Sequence, residues 1–341
     1  MTDRLPADLS IAVLIPCFNE ERTIAGIVAG FRLALPLARI YVYDNNSTDR
    51  TALYAALAGA TVVKETRQGK GHVVRRMFSD IDADIYIMAD GDGTYPAEDA
   101  PELALTLISE RADMVVATRR GVTSDAGRAG HAFGNRIFNV LYQTLFGRDF
   151  TDIFSGYRAF SRRFAKSFPA LSAGFEIETE MSVHASQLKM PVAELPVEYG
   201  RRPVGSASKL STFRDGRKIL TMFAMLMKET RPFAFFGYIG LAALALSGLL
   251  AAPVVLAYLQ TGLVERMPTW ILSVALLITA MMFFVSAIIL DSVARGRAEQ
   301  KRMHYMTLAP LRRDVLGARA TGGLSAPAKR VMKTKQDKAA A

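Results

Sequence analysis

Apolar and polar positions alternate in two regimes along this chain, and the change of regime divides it. From Ser10 to about Tyr199, short β-branched or apolar runs alternate with longer stretches of helical period, the pattern of an α/β domain on a mostly parallel sheet. It predicts strands near Ile11–Ile15, Ile40–Tyr43, Thr61–Val63, Ile85–Ala89 and Met114–Thr118. Helices are predicted over Glu21–Leu35, Asp49–Ala58, Gly71–Asp80, Asp99–Arg111 and Phe175–Gln187, and Ser47-Thr48-Asp49 offers N-capping side chains to the second. Beyond the domain the pattern turns uniformly apolar. Phe233–Leu259 and Thr269–Leu290 contain no Asp, Glu, Lys or Arg, and each exceeds the ~20 residues a helix needs to cross hydrocarbon. Between the two regimes, Phe213–Lys228 alternates Arg214, Arg217 and Lys218 with Ile219, Leu220, Phe223 and Leu226, as an interfacial helix does.

The resulting division is an α/β domain over 1–210 and a juxtamembrane helix over 211–231. Two transmembrane helices follow within 232–291 (about 233–259 and 269–290), then a basic, partly disordered tail over 292–341. Charge sharpens this picture. The net charge is +10, which alone invites nucleic acid, but from Ser292 onward twelve Lys and Arg stand against three acids. That tail carries +9 and the first 291 residues only +1, so a basic membrane-proximal tail is expected and nucleic acid is not. Lys228 and Arg231 precede the first span, and Arg295, Arg297, Lys301 and Arg302 follow the second. The positive-inside bias therefore predicts a two-span protein of the inner or cell membrane, with its catalytic domain and both termini in the cytoplasm. Small residues such as Gly237, Gly240 and Ala243 could support a homo-oligomer through the spans. One cysteine, Cys17, forms no internal disulfide framework, and four scattered histidines lack zinc-ligand spacing.

In open α/β sheets ligands bind at the carboxyl ends of strands. Polar residues gather at three of those ends: Pro16-Cys17-Phe18-Asn19-Glu20, Asp44-Asn45-Asn46-Ser47 and Asp90-Gly91-Asp92-Gly93-Thr94. No G-x-G-x-x-G or P-loop string follows the first strand, which disfavours a dinucleotide fold or a P-loop. Asp90 and Asp92 flank one glycine, so both carboxylates can reach one hard cation, Mg2+ or Mn2+, beside a substrate diphosphate. Asp-Gly-Asp-Gly is equally good turn chemistry, and Asp44 alone would suit an Asx-turn.

The strings IPCFNEE (Ile15–Glu21), YDNNSTDRT (Tyr43–Thr51), ADGDGTYP (Ala89–Pro96) and SGYRAFSRR (Ser155–Arg163) resemble the family-2 glycosyltransferases. With RPVGSASKLSTFRDG (Arg202–Gly216), the chain is most similar to the group that loads sugars onto polyprenyl phosphates, over about Ile11–Leu220. The resemblance implies a GT-A-type nucleotide-sugar-binding fold with a nucleotide set of Pro16, Phe18, Asn19, Glu20, Asp44, Asn46, Lys70 and Asp90. It implies a metal at Asp90 and Asp92, catalytic roles for Asp92 and Asp152, and an acceptor-phosphate set of Arg119, Arg128, Asn135, Arg202, Ser208 and Lys209. Where relatives often carry Asp-Asp-Gly-Ser, this chain has Asp44-Asn45-Asn46-Ser47. Glu180 resembles a family position, whereas Glu176 and Glu178 read as solvated.

The expected reaction is inverting, metal-dependent transfer of a hexose-type sugar from a nucleotide diphosphate, UDP in preference to GDP, onto an undecaprenyl or dolichyl phosphate. A phosphate monoester is largely a dianion at neutral pH, since its second pKa is about 6, so no general base is required. The harder problem is joining two anions, which calls for cationic side chains. Two rivals stand beside this reading: a processive polysaccharide synthase, and a non-catalytic membrane-tethered nucleotide-sugar binder. The processive relatives carry Q-x-x-R-W, while the only tryptophan here, Trp270, lies in the second apolar stretch.

Overall fold

The structure is a computed structural model that describes residues 5–6, 8–120, 142–143, 147, 149–174, 176–200, 221 and 224–311. Seven strands form one sheet: β1 (Ile11–Cys17), β2 (Arg39–Asp44), β3 (Thr61–Lys64), β4 (Ile85–Met88), β5 (Met114–Arg120), β6 (Arg158–Ser161) and β7 (Val192–Glu198). Their order is β3-β2-β1-β4-β6-β5-β7. All pairings are parallel except those of β6, which runs antiparallel to β4 and to β5. β4 is buried along its length and β1 nearly so, which explains their unbroken apolar runs.

Helices α1 (Ile24–Ala34), α2 (Thr51–Leu57), α3 (Lys70–Asp80), α4 (Ala100–Ser109), α5 (Arg162–Ser167) and α6 (Ile177–Gln187) cover the sheet. α1 turns Ile24, Val28 and Phe31 inward at helical spacing. One core cluster joins Leu14, Val74, Met77, Tyr86, Phe160, Phe164 and Met181, so α3, α5 and α6 share its packing. Within the α/β domain the predicted strands and helices form, with ends shifted by a few residues. β6, α5 and β7 were not foreseen. The cap of α2 also differs: Arg50 precedes the helix, and Asp49 Oδ1 accepts the Thr51 amide at 2.9 Å.

α7 (Pro232–Thr261) and α8 (Met267–Thr307) are each long and apolar enough to cross a membrane. Side chains such as Leu249, Leu259, Met281 and Ile288 point away from the protein. The two pack through buried small residues at seven-residue spacing, Gly240, Ser247 and Val254 against Ser273, Ala280 and Ala287. A Cβ on Gly240 would lie 3.3 Å from Ala280 O and from Phe283 Cβ, and Ser247 Oγ donates to Ser273 O at 2.7 Å. Gly240 is thus spent within the hairpin, whereas Gly237 faces open space. At about 1.5 Å per residue, the 41 residues of α8 outrun a hydrocarbon core of about 30 Å. Its far end docks on the α/β domain: Tyr305 Oη donates to Asp113 Oδ2 at 2.5 Å, and Arg302 donates to Leu188 O.

Candidate active site

Because β6 is antiparallel, its leading residues Ser155-Gly156-Tyr157 reach the same sheet edge as the trailing ends of β1, β2, β4 and β5. Five polar segments converge there. The β1 and β2 ends are laced together: Asn19 N donates to Ser47 Oγ (2.9 Å), Thr48 N to Asn19 Oδ1 (2.8 Å) and Glu20 N to Thr51 Oγ1 (2.8 Å). Asn19 and Asn46 both hold positive φ, 53° and 64°, a conformation asparagine tolerates better than most residues. Asp44 is buried and its Oδ1 accepts the Ser47 amide at 3.2 Å, three residues on rather than the two of an Asx-turn. Pro16 and Phe18 are half-buried at the end of β1.

Asn45 carries no expected role but ties this corner together. Its Nδ2 donates to Glu65 O and Arg67 O, and its Oδ1 accepts the Gly69 amide at 2.7 Å. Gly69 leads into Lys70, the first residue of α3. Gly69 has φ 133°, and a Cβ there or on Gly71 would collide with the 172–173 backbone, where Ala173 O accepts the Gly71 amide at 3.0 Å. Only glycines let the chain pass so close.

Lys70 is buried, and its ammonium bonds both Asp90 Oδ1 and Glu178 Oε1. Burial works against that charge, but Asp90 and Glu178 outweigh it and hold the lysine pKa above its usual value. Glu178 is displaced upward: burial raises its pKa, Asp90 adds to the effect and Lys70 opposes it. The expectation that Glu178 is solvated is therefore corrected. It is 4% exposed, and its Oε2 has no hydrogen-bond partner among the described residues. Glu180 is buried too, each carboxylate oxygen accepting an amide, Leu171 N at 2.8 Å and Ser172 N at 2.7 Å.

The Asp90 side chain stays 29% exposed and lies over Gly156, where a Cβ would fall 2.8 Å from Asp90 Cγ. Asp92 is buried, and its Oδ1 accepts both the amide (3.1 Å) and the hydroxyl (2.6 Å) of Thr94. The donor set suits a hard divalent ion: two carboxylates, two residues apart, one of them open to the cleft. No group of three or more His, Cys, Asp or Glu gathers as a metal cluster among the described residues, so substrate oxygens and water would complete the coordination.

On the β5 side, Arg119 and Asp152 are brought together. Arg119 Nε and Nη2 reach the two Asp152 oxygens at 2.7 and 2.8 Å, with both side chains mostly buried. Burial disfavours the guanidinium, yet Asp152 more than compensates and raises its pKa. Arg119 also lies 5.5 Å from the Tyr199 ring centre. Tyr95 packs between Tyr199 and Tyr157, and its hydroxyl accepts the Gly156 amide at 3.2 Å. Arg128, Asn135, Arg202, Ser208 and Lys209 lie outside the described residues, as do most of the expected juxtamembrane helix and the tail beyond Leu311.

The family model described as glycosyl transferase family 2 matches residues 12–168. Glycosyltransferase AglJ of Haloferax volcanii is 37% identical over 243 residues, 71% of this chain and 80% of that protein. The chain belongs to glycosyl transferase family 2. Within the family it is also 24% identical over 223 residues to an undecaprenyl-phosphate mannosyltransferase of Micrococcus luteus, 60% of this chain and 88% of that one. Among solved structures it is similar to glucosyl-3-phosphoglycerate synthase from Mycobacterium tuberculosis in complex with Mn2+, UDP-glucose and phosphoglyceric acid. The TM-score is 0.53 at 22% identity, over 65% of this chain and 80% of that one. The fold is GT-A-like, and this family 2 member is an enzyme that transfers a sugar from a nucleotide sugar.

Proposed function

We propose that this glycosyltransferase moves a hexose-type sugar, with inversion, from a nucleotide diphosphate to a polyprenyl phosphate at the cytoplasmic membrane face. UDP is the preferred carrier and GDP the alternative. The observation that carries the reading is the hairpin: two apolar helices with outward-facing side chains, the second running on to dock against the catalytic domain at Asp113. The undecaprenyl-phosphate mannosyltransferase relative supports the same acceptor class. The proposed organisation is a transferase domain over 1–210, a juxtamembrane helix over 211–231, spans within 232–291 and a basic tail over 292–341, with both termini cytoplasmic.

In this reading Pro16, Phe18, Asn19, Glu20, Asp44 and Asn46 form the nucleotide side of the cleft, and Lys70 bears on the diphosphate side through Asp90. With Mg2+ or Mn2+ held by Asp90 and Asp92, the site gains Lewis-acid stabilisation of the departing diphosphate. The Mn2+ and UDP-glucose bound together in the mycobacterial synthase support that pairing. Arg119, oriented by Asp152, offsets the charge of the incoming phosphate, which arrives as a dianion and attacks the anomeric carbon without a base. Arg128, Asn135, Arg202, Ser208 and Lys209 are assigned to the same acceptor set by motif.

The synthase also binds phosphoglyceric acid, so a small phosphorylated acid is the second reading. Nothing in such an acceptor requires the hairpin. A panel of radiolabelled nucleotide sugars, offered to undecaprenyl phosphate and to phosphoglycerate with and without chelator, tests both. Lipid-linked, chelator-sensitive product with inverted configuration is expected. Retained configuration, chelator-insensitive transfer or labelling of the soluble acceptor alone would overturn the proposal.

A further inference from the structure

Arg158 opens β6 with its side chain wholly buried, between Met88 of β4 and Val116 of β5. Its guanidinium bonds carbonyl and hydroxyl oxygens: Nε donates to Ser155 O at 2.8 Å, Nη2 to Ile153 O at 2.7 Å and Nη1 to Ser182 Oγ at 3.0 Å. Burial lowers its pKa, while Glu178 and Asp152 pull the other way. Taking a full charge out of water for neutral partners is unfavourable, so packing alone gives no reason for an arginine at this position.

Each of the two carbonyls lies in a rigid peptide plane whose amide points to the opposite side of the chain. In the plane joining Ile153 to Phe154, Arg158 takes the oxygen while the Phe154 amide donates to Asp152 Oδ1 at 3.2 Å. In the plane joining Ser155 to Gly156, Arg158 takes the oxygen while the Gly156 amide donates to the Tyr95 hydroxyl at 3.2 Å. One guanidinium thus grips two planes by their carbonyls, and the planes serve the two halves of the cleft. Asp152 carries Arg119 on a two-point bond of 2.7 and 2.8 Å, and Gly156 lies against Asp90, where a Cβ would come within 2.8 Å of Asp90 Cγ. A positive charge at the carbonyl end also polarises each plane and strengthens the bond its amide makes. Lysine offers one ammonium in place of a planar fork of donors and cannot hold both planes in this geometry.

We propose that Arg158 is a positioning residue for sugar transfer. It fixes the distance between the Arg119–Asp152 pair and the Asp90 carboxylate, and so between acceptor phosphate and donor diphosphate, without touching either substrate. The inference rests on the proposed function, in which those two groups serve acceptor and donor. Two anions steered by separate side chains react only within a narrow range of separation, and a misplacement of about 1 Å costs about 10²-fold in rate. The segment is tied to β7 at its start, where Glu194 Oε1 accepts the Thr151 amide at 2.6 Å. Arg158 therefore governs the stretch from Asp152 to Gly156, which spans the two halves of the site.

The full chain in detergent, supplied with undecaprenyl phosphate and the nucleotide sugar that the panel identifies, gives kcat and both KM values. Heat-induced exposure of the buried Cys17 thiol gives the melting midpoint. Arg158→Lys should lower kcat about a hundredfold. The donor KM should move less than about threefold, because Asp90 keeps its bond to Lys70. Ser182→Ala removes the third bond and leaves both planes held, so it should lower the melting midpoint and leave kcat and both KM values at wild type. In an Asp152→Asn background, Arg158→Lys should slow transfer less than about threefold further, since the group it positions is already lost. A purely structural arginine would multiply the two losses. Should Arg158→Lys fail to fold, Tyr95→Phe releases the Gly156 amide from the other side, and kcat should fall about tenfold with the donor KM held. Multiplied losses in the double variant, an equal kcat loss in Ser182→Ala, or an unchanged rate in Tyr95→Phe would overturn the role. Those outcomes, with a wild type that loads the lipid, defeat Arg158 alone. A wild type that yields no lipid-linked product with any nucleotide sugar defeats the proposed acceptor, and this role falls with it.

Discussion

Replacing Lys70 with Met removes an ammonium and little volume from between two carboxylates, and the two partners respond differently. The Asp90 side chain is 29% exposed and can recruit water, but that of Glu178 is 5% exposed and cannot. Breaking a buried pair by deleting one member costs about 3–5 kcal/mol, and the partial exposure of Asp90 places this case near the lower end, about 3 kcal/mol. For a domain of this size that corresponds to a fall of roughly 6–12 °C in the melting midpoint. The chain's single cysteine, Cys17, is buried at the end of β1, so a thiol-reactive fluorophore reports unfolding of the catalytic domain itself.

The pH dependence carries a sign that tests the cause. Glu178 already has its folded pKa above the unfolded value, and losing Lys70 pushes it further up. A raised carboxyl binds more protons when folded, so its contribution is complete below the unfolded pKa of about 4.3 and is lost as pH rises through the folded value. Lys70→Met should therefore gain stability as pH falls toward the unfolded carboxyl value of about 4.3, more than wild type does. Adding Glu178→Gln should recover most of the loss, since both members of the pair are then gone. A single variant that melts with wild type, or a double variant no better than the single, would refute the reasoning. Under the proposed function transfer should fall by about 10²–10³ in either, because the cation behind Asp90 on the diphosphate side is missing.

Asp92→Ala should abolish transfer in the nucleotide-sugar assay while lowering the melting midpoint only slightly, since the turn at Thr94 loses contacts worth about 1–2 kcal/mol. Gly156→Ala drives a methyl into the Asp90 carboxylate. Manganese titration of activity should show about tenfold weaker apparent metal affinity, as a displacement costing about 1.4 kcal/mol would give, with the fold intact by circular dichroism. Tyr305→Phe removes the donor to Asp113 Oδ2, although Ser161 and Arg163 still serve Asp113 Oδ1. A loss of about 1–2 kcal/mol is expected by thermal melting, with the donor KM unchanged.

The sheet was legible wherever burial is two-sided. β1 and β4 are continuous apolar runs because neighbours cover both faces. β6 was hidden because it is four residues long and begins with Arg158, a buried guanidinium that donates to Ser155 O and Ile153 O. β7 is an edge strand with only Val197 buried, and Glu194, Pro196 and Glu198 break its apolar character. The polar strand ends announced the cleft, but not which side chains meet. Lys70 and Glu178 are 108 residues apart in sequence, and no local spacing discloses such a pair. α6 misleads for the same reason: its carboxylates suggest a solvated helix, yet every residue from Ile177 to Ala185 is buried.

The hairpin and the cleft meet through lengths that nearly cancel. From Leu290, where the uncharged stretch ends, α8 continues for fifteen residues to Tyr305, about 22 Å at helical rise. There it grips Asp113, just ahead of β5. β5 then runs to Arg119, about 20 Å at strand rise. α6 descends beside α8: Glu180 and His184 share a cavity with Arg297 and Lys301, and Arg302 reaches Leu188 at the helix end. The N-terminal end of α6, which carries Glu178, thus faces back toward the spans, and with it the sheet edge that bears Asp90 and Arg119. Under the proposed function, with α7 and α8 spanning the membrane, a descent and a return of similar length would set the cleft near headgroup level, where an acceptor phosphate is met without its lipid leaving the bilayer. A water-soluble acceptor would place no such demand on α8, which is why the reach of that helix weighs toward the lipid.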